Sequence, residues 1–202
     1  MKKQVVVIHG GDTFETYEKY LSFLRNYKID IVRERYTLNK YDWKPWLRKE
    51  LGDSYEVIAP LMPNKNNAQF SEWKLWFEKL FPFLDEEVIL VGHSLGGIFL
   101  AKYLSENQFP KKIKGVFLVG AVYDKDSENY PVVSFSLPEK LNLQTKNAMI
   151  YHSKDDPVVP FSALEQYKKA LPNAQTRVFE DRGHLNQEEF LELVEDILNL
   201  DN

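Results

Sequence analysis

A serine stands between two glycines in the segment Gly92-His93-Ser94-Leu95-Gly96, which follows an apolar run and precedes an amphipathic stretch. This is the G-x-S-x-G pattern of a nucleophile elbow, where a strand turns sharply into a helix and exposes the serine at the corner. Glycines two positions away on either side leave room for the turn, and the Leu95 N–H can stabilise an oxyanion there. The pattern therefore predicts Ser94 as a nucleophile, and the alternative is a glycine-rich turn with an unreactive serine.

A serine hydroxyl is a weak nucleophile until a base takes its proton, and the chain has four histidines as candidates. His184 lies between the last predicted strand and the last predicted helix, where a loop can reach over the sheet to the serine. The His93 ring is expected to point away from its neighbour Ser94. His9 ends the first predicted strand beside an expected anion-binding turn, and His152 ends the fifth, in a packing or capping position. We therefore predict His184 as the base, and the alternative is a helix-capping or surface histidine.

The base needs an acid that fixes its tautomer and stabilises the imidazolium. The segment S-K-D-D-P of residues 153–157 follows the fifth predicted strand. Asp156 precedes a proline, which biases it toward extended backbone and suits a carboxylate held in a fixed loop. Asp155, which a turn could also use as a cap, and Asp124, which follows the fourth predicted strand, are the alternatives. With Asp156, the functional residues occur in the chain order serine, aspartate, histidine that accompanies this motif.

A second oxyanion donor is needed beside Leu95. The segment H-G-G-D of residues 9–12 follows the first predicted strand, where a glycine can expose its backbone N–H to a ligand. Gly11 is the first choice and Asp12 the second, and the alternative is a tight turn with a structural role only.

Short apolar runs alternate with helical patterns along the whole chain. Because the runs lack polar alternation, they indicate strands covered on both faces, and hence a mostly parallel sheet between two layers of helices. Ligands bind such sheets beyond the carboxyl ends of the strands, where all the residues above lie. The predicted strands are 4–8, 55–59, 88–91, 115–120, 148–152 and 175–179, and the predicted helices are 13–26, 42–51, 71–80, 95–106, 161–170 and 187–199. The last helix is expected to dock on the sheet with one face formed by Phe190, Leu191, Val194, Ile197 and Leu198, widened by Leu193 and Leu200.

Composition excludes several classes of protein. A length of 202 residues fits one domain, 1–202, and the net charge of −4 offers no general attraction to nucleic acid or to anionic lipid. The absence of cysteine excludes disulfides, thiolate metal sites and a cysteine nucleophile. The apolar run near the N-terminus is too short for a signal peptide or a membrane span, so a cytoplasmic protein is expected.

These segments make the chain resemble the α/β-hydrolase superfamily and, within it, the small serine hydrolases related to retinoblastoma-binding protein 9. The resemblance is carried by V-V-V-I-H-G-G-D, V-I-L-V-G-H-S-L-G-G, S-K-D-D-P-V-V-P and D-R-G-H, which together frame nearly the whole chain. It implies a minimal α/β-hydrolase fold: a three-layer α/β/α sandwich with about six strands and no large lid domain. It also implies an acyl-enzyme mechanism, in which Ser94 attacks an ester-like carbonyl, His184 shuttles the proton and water releases the acid. No metal or organic cofactor is implied.

The resemblance leaves the substrate open. A carboxylesterase-like hydrolase acting on small acyl esters is the first hypothesis. A protein-interaction module with little turnover, for which aromatics around 43–46 would form the surface, is an alternative, as are acyl-transfer, thioesterase and peptidase activities. Residues 121–146 replace the lid of larger relatives and offer Tyr123, Tyr130 and Phe135 as candidate pocket walls. The aromatic-rich insertion at 26–51, which includes Tyr27, Tyr36, Tyr41, Trp43 and Trp46, either borders the acyl site or packs an extra helix on the sheet, and packing is favoured.

Overall fold

A computed structural model describes residues 2–28, 43–124 and 132–200 of the chain, so Tyr36, Tyr41 and Tyr130 lie outside the described residues. Six strands form one sheet in the order β2-β1-β3-β4-β5-β6, and every neighbouring pair is parallel. The expectation of a mostly parallel sheet of about six strands is thus confirmed. The strands are β1 (Lys3–Ile8), β2 (Tyr55–Ile58), β3 (Glu87–His93), β4 (Lys112–Val119), β5 (Ala148–Ser153) and β6 (Gln175–Phe179).

Helices cover both faces of the sheet because successive strand residues point to opposite sides. In the described parts of the chain the helices are α1 (Tyr17–Asn26), α2 (Trp43–Leu51), α3 (Phe70–Glu78), α4 (Leu95–Glu106), α5 (Ser162–Ala170) and α6 (Leu191–Asn199). Val6 and Ile8 of β1 join one core with α3, α4 and α5, while Val5 and Val7 join a second core with α2 and α6. These two cores give the three-layer α/β/α sandwich.

The last helix differs from its predicted form. It begins at Leu191 instead of residue 187, and its buried side chains include Leu193, Val194 and Ile197. Leu191 and Leu198 are 53% and 43% exposed, so assigning them to the docked face was wrong. The buried positions repeat at three and four residues, as a helix stripe requires, but the phase of the stripe is set by how α6 lies on the sheet.

The connections leave β1 and β3 in opposite directions along the sheet. The chain continues from β1 to β2 on one side and from β3 to β4 on the other, although β1 and β3 are hydrogen-bonded neighbours with Ile8 paired to Gly92. Such a reversal of strand order opens a crevice at the carboxyl ends of the two strands. The H-G-G-D and G-H-S-L-G segments therefore meet at this crevice.

The aromatic candidates for pocket walls have other positions. Phe135 is fully buried and packs edge-on against Trp73, so its assignment as a wall was wrong. Tyr123 is nearly buried, with its ring edge-on to Tyr167. Trp43 is fully buried in the core beneath α2, as the packing interpretation of the insertion expects. None of the helices in the described ranges is long and apolar enough to cross a membrane.

Candidate active site

Ser94 stands at a sharp corner between β3 and α4. Its backbone has φ 54° and ψ −119°, a conformation that is costly for any residue other than glycine. The corner is held by hydrogen bonds on both sides: the Ser94 N–H donates to the Val119 carbonyl at 2.9 Å, and the Ser94 carbonyl accepts from the Gly97 N–H at 2.9 Å. A Cβ at Gly92 would lie 2.5 Å from the Gly96 carbonyl oxygen, so a side chain at this position would collide with backbone.

The turn after β1 lies directly against Ser94. A Cβ at Gly10 would be 3.0 Å from the Ser94 Cβ and 3.5 Å from its Oγ, so Gly10 lies directly against the serine side chain. Gly11 lies one step further out, against the Lys65 carbonyl and the Leu95 side chain. The Asp12 N–H donates to the Lys65 carbonyl at 2.7 Å and is therefore occupied. Sequence reasoning chose Gly11 and did not single out Gly10, because the H-G-G-D pattern does not show which glycine faces the serine.

Leu95 is the first residue of α4. Its N–H belongs to the first helical turn, where no carbonyl of the same helix can accept it. This donor follows Ser94 directly in the chain, and the turn after β1 lies against the serine side chain. The arrangement is suited to a negatively charged oxygen beside the hydroxyl, and the N-terminal end of the helix favours negative charge.

Asp156 and His184 form a hydrogen-bonded pair. The His184 Nδ1 lies 2.8 Å from the Asp156 Oδ2, and the aspartate side chain is fully buried. The other carboxylate oxygen, Oδ1, accepts from the backbone N–H groups of Val158 and Val159 at 2.8 and 2.9 Å. A buried carboxylate with three donors is fixed in place, and it in turn fixes the orientation of the imidazole.

The two alternative acids have different roles. Asp155 Oδ1 accepts from the Ser153 hydroxyl at 2.5 Å and from the Gly183 N–H at 2.8 Å, and these bonds lower the pKa of the Asp155 carboxyl. Asp155 therefore joins its own loop, residues 154–161, to residues 180–190, which carry His184 and are called the histidine loop. Asp124 accepts from the Leu137 N–H at 3.0 Å and holds the segment after β4.

The other three histidines form hydrogen bonds with backbone groups, and we call them the neutral histidines. His9 Nε2 accepts from the Met62 N–H at 2.8 Å, so its Nδ1 carries the proton and donates to the Gly10 carbonyl at 2.6 Å. His152 donates to the Val159 carbonyl at 3.1 Å. His93 Nε2 lies 3.0 Å from the His184 carbonyl oxygen, so the His93 ring is directed at the histidine loop and not at Ser94. Burial lowers the pKa of all three.

The end of β4 brings the parts of the site together. Gly120, which follows this strand, has φ +51°, and a Cβ there would lie 3.6 Å from the His184 ring and 3.7 Å from Asp156 Oδ2. Val119, one residue earlier, accepts the Ser94 N–H. Within the part of the chain that the structure describes, the Ser94 hydroxyl is not hydrogen-bonded to His184. Contacts of this kind commonly tighten only when substrate binds. Among the same residues, no group of three or more His, Asp or Glu side chains is arranged to hold a metal ion.

Comparison with known proteins identifies the family. A family model described as serine hydrolase matches residues 36–200. Serine hydrolase RBBP9 of Rattus norvegicus is 31% identical over 161 residues, covering 76% of this chain and 83% of the relative. The putative hydrolase YdeN of Bacillus subtilis (strain 168) is 27% identical over 206 aligned positions, covering 98% of this chain and 95% of the relative.

Solved structures agree with this assignment at the level of the fold. The crystal structure of the ydeN gene product from B. subtilis superposes with a TM-score of 0.72 at 20% identity and covers 99% of both chains. An esterase from Exiguobacterium antarcticum superposes with a TM-score of 0.60 at 16% identity, covering 99% of this chain and 92% of that one. The chain belongs to the serine hydrolase family of the α/β-hydrolase superfamily, among the small serine hydrolases that include RBBP9.

Proposed function

We propose that this serine hydrolase is a carboxylesterase that cleaves small acyl esters through an acyl-enzyme on Ser94. The observation that carries the proposal is the buried Asp156–His184 pair, at 2.8 Å, which lies at the same end of the sheet as the strained serine corner. The three side chains supply a nucleophile, a base and an acid that orients the base.

In the proposed mechanism, His184 Nε2 takes the Ser94 proton as Oγ attacks the substrate carbonyl carbon. The carbonyl oxygen becomes an oxyanion, which the Leu95 N–H stabilises together with a donor from the Gly10-Gly11 turn. The imidazolium then gives its proton to the departing alcohol, and the C–O bond to that alcohol breaks. A water molecule attacks the resulting ester of Ser94 by the same steps in reverse order and releases the carboxylic acid.

Asp156 serves this mechanism by its position. Its Oδ2 accepts from His184 Nδ1, which leaves Nε2 unprotonated and able to act as the base. Because Val158 and Val159 donate to the other oxygen, the carboxylate stays in place as charge develops on the imidazole. Fixed groups of this kind stabilise the transition state without a cost of reorganisation.

The structure disfavours the alternative of a protein-interaction module, which depended on exposed aromatic side chains around residues 43–46. Trp43 is fully buried and binds the histidine loop, and Trp46 packs partly against the same core. Trp43 supports the loop that carries His184 and Trp46 packs on the core, so the observation favours catalysis over docking of a partner by that surface.

The test combines active-site labelling with ester hydrolysis. A fluorophosphonate probe should label the wild-type chain, and Ser94→Ala should abolish labelling. Ser105→Ala is the matched control, because Ser105 lies on the same helix and its hydroxyl bonds Ala101 and Asn142, neither of which is a candidate site residue. Hydrolysis of p-nitrophenyl esters from acetate to dodecanoate should be fastest for the short chains. Persistent labelling of the Ser94→Ala variant would overturn the proposed nucleophile, and preference for thioesters or amides over all esters would overturn the substrate class.

A further inference from the structure

The loop that carries His184 has an unfavourable backbone. Gly183 and Leu185, the residues on either side of His184, both have left-handed φ values, +52° and +51°. Glycine adopts this conformation freely, but leucine does so only when its surroundings hold it there. The Leu185 side chain is fully buried, and its N–H closes a turn onto the Arg182 carbonyl at 3.1 Å. The position of His184 thus depends on contacts that stabilise this turn.

Three donors from other parts of the chain bind the carbonyls of this loop. His93 Nε2 lies 3.0 Å from the His184 carbonyl oxygen. The Trp43 indole N–H donates to the Leu185 carbonyl at 3.0 Å, and the Trp43 backbone N–H donates to the Gln187 carbonyl at 3.1 Å. Trp43 also lies edge-on to the His93 ring, with centroids 6.0 Å apart. His93 and Trp43 therefore form one support beneath the loop.

His93 differs from Trp43 in what it connects. It is the residue immediately before Ser94, and it bonds the backbone of His184 itself, with the two imidazole centroids 5.0 Å apart. A carbonyl oxygen can only accept, so His93 must carry its proton on Nε2. His93 is 4% exposed, and burial, followed by the nearby Lys44 charge, lowers its pKa well below 6.5. It is therefore a neutral donor at physiological pH.

We propose that His93 is a positioning residue of this hydrolase, whose Nε2–H bond to the His184 carbonyl sets the distance between the base and the nucleophile. One end of this bond is on the residue next to Ser94 and the other is on the backbone of His184, so it links the two candidate reacting residues through a single hydrogen bond. The inference rests on the proposed roles of Ser94 and His184. It assigns the histidine of the elbow a function in catalysis that does not involve contact with substrate.

The test compares two substitutions of similar size and shape. His93→Gln can still donate from its terminal amide, whereas His93→Met fills the same space without a donor. We expect kcat for a p-nitrophenyl ester to fall by about 100-fold in the methionine variant, with KM nearly unchanged, because a displacement of about 1 Å is enough for such a loss. The glutamine variant should stay within about threefold of wild type, as rescue by a retained donor requires.

Three further variants separate positioning from general destabilisation. Tyr103→Phe removes another hydrogen bond of a buried ring, the one to Glu78 at 3.1 Å, and should leave kcat unchanged. In a His184→Ala background, the difference between glutamine and methionine at residue 93 should disappear, because there is no imidazole to position. His93→Asn, whose shorter amide cannot reach the carbonyl, gives the same comparison if the methionine variant does not fold.

The outcomes distinguish this inference from the proposed function. If fluorophosphonate still labels Ser94→Ala, the proposed nucleophile is wrong. If that labelling is lost as expected but the glutamine and methionine variants at residue 93 have equal kcat, only the positioning inference is overturned. A methionine loss that persists without His184 would likewise overturn it.

Discussion

Replacing Asp156 with asparagine tests the site most directly, because the structure dictates how the new amide must lie. The Asp156 Oδ1 accepts from the N–H groups of Val158 and Val159 at 2.8 and 2.9 Å. An asparagine must keep its carbonyl oxygen on that side, since turning the amide round would leave two N–H donors without acceptors. An unsatisfied buried donor costs about 1–3 kcal/mol, and only the Val159 N–H is partly buried while that of Val158 is exposed, so the reversed orientation is disfavoured by about 1–3 kcal/mol. The amide NH₂ therefore faces His184.

This orientation puts the histidine in the wrong tautomer. An NH₂ group donates, so His184 Nδ1 must become the acceptor and the ring proton moves to Nε2, where it blocks removal of the Ser94 proton. In a serine protease triad the same change lowers kcat by about 10⁴-fold, which is about 5.4 kcal/mol in the activation barrier. We expect a loss of this size for Asp156→Asn, measured as kcat on a short p-nitrophenyl ester, with folding monitored by circular dichroism.

Asp155→Asn is the matched control at the neighbouring position. Its Oδ1 accepts from Ser153 and from Gly183, and an asparagine carbonyl can accept both bonds in the same way. The loss of kcat should stay within about threefold, because the orientation of the histidine does not change. A loss in Asp155→Asn as large as in Asp156→Asn, or an unchanged kcat in Asp156→Asn, would refute the reasoning.

Three other predictions concern stability. Gly96→Ala should destabilise the fold by about 3 kcal/mol in urea titration, because its Cβ would overlap the backbone carbonyl of Ile8 and lie 2.7 Å from that of His9; wild-type stability would contradict this. The unfolding free energy should fall as the pH drops below about 6.5. Burial lowers the folded-state pKa of the neutral histidines, so below this pH the unfolded chain binds more protons than the folded chain. Thermal unfolding measured at a series of pH values should show this slope, and a flat profile would argue against it. Arg177→Met should lower the unfolding free energy by about 1.5–3 kcal/mol, because it removes a 2.6 Å bond to the buried carboxylate of Asp196. Lys154→Met, which removes an exposed ion pair with Glu180, should lower it by under about 1 kcal/mol.

Features encoded in contiguous residues could be predicted from the sequence. The elbow is an example: the glycines around Ser94 are needed for steric reasons within a single turn, so the motif and its flanking strand and helix suffice to locate it. Alternation of apolar runs with helical patterns likewise indicated the layers of the fold. The elbow and the strand–helix alternation both depend on interactions between residues that are close along the chain. Such local interactions are the same wherever the sequence pattern occurs.

Choices between neighbouring residues depended on tertiary structure. Asp155 and Asp156 are adjacent residues of the same type. Only the folded loop shows that Asp156 faces His184 while Asp155 faces Gly183. The folded turn likewise shows that Gly10 lies against Ser94, whereas Gly11 stays a prediction as the oxyanion donor. A change of one position in a turn reverses the direction of a side chain, and no local pattern records that direction.

The support of the histidine loop could be found only in the folded chain. Trp43 bonds Leu185, and His93 bonds His184, across 142 and 91 residues. Such bonds form because the sheet brings distant loops to one edge, and nothing in either segment alone specifies its partner. The sequence by itself determined the candidate reacting groups and the layers that carry them. Their distances and orientations, on which the chemistry depends, were decided by long-range packing.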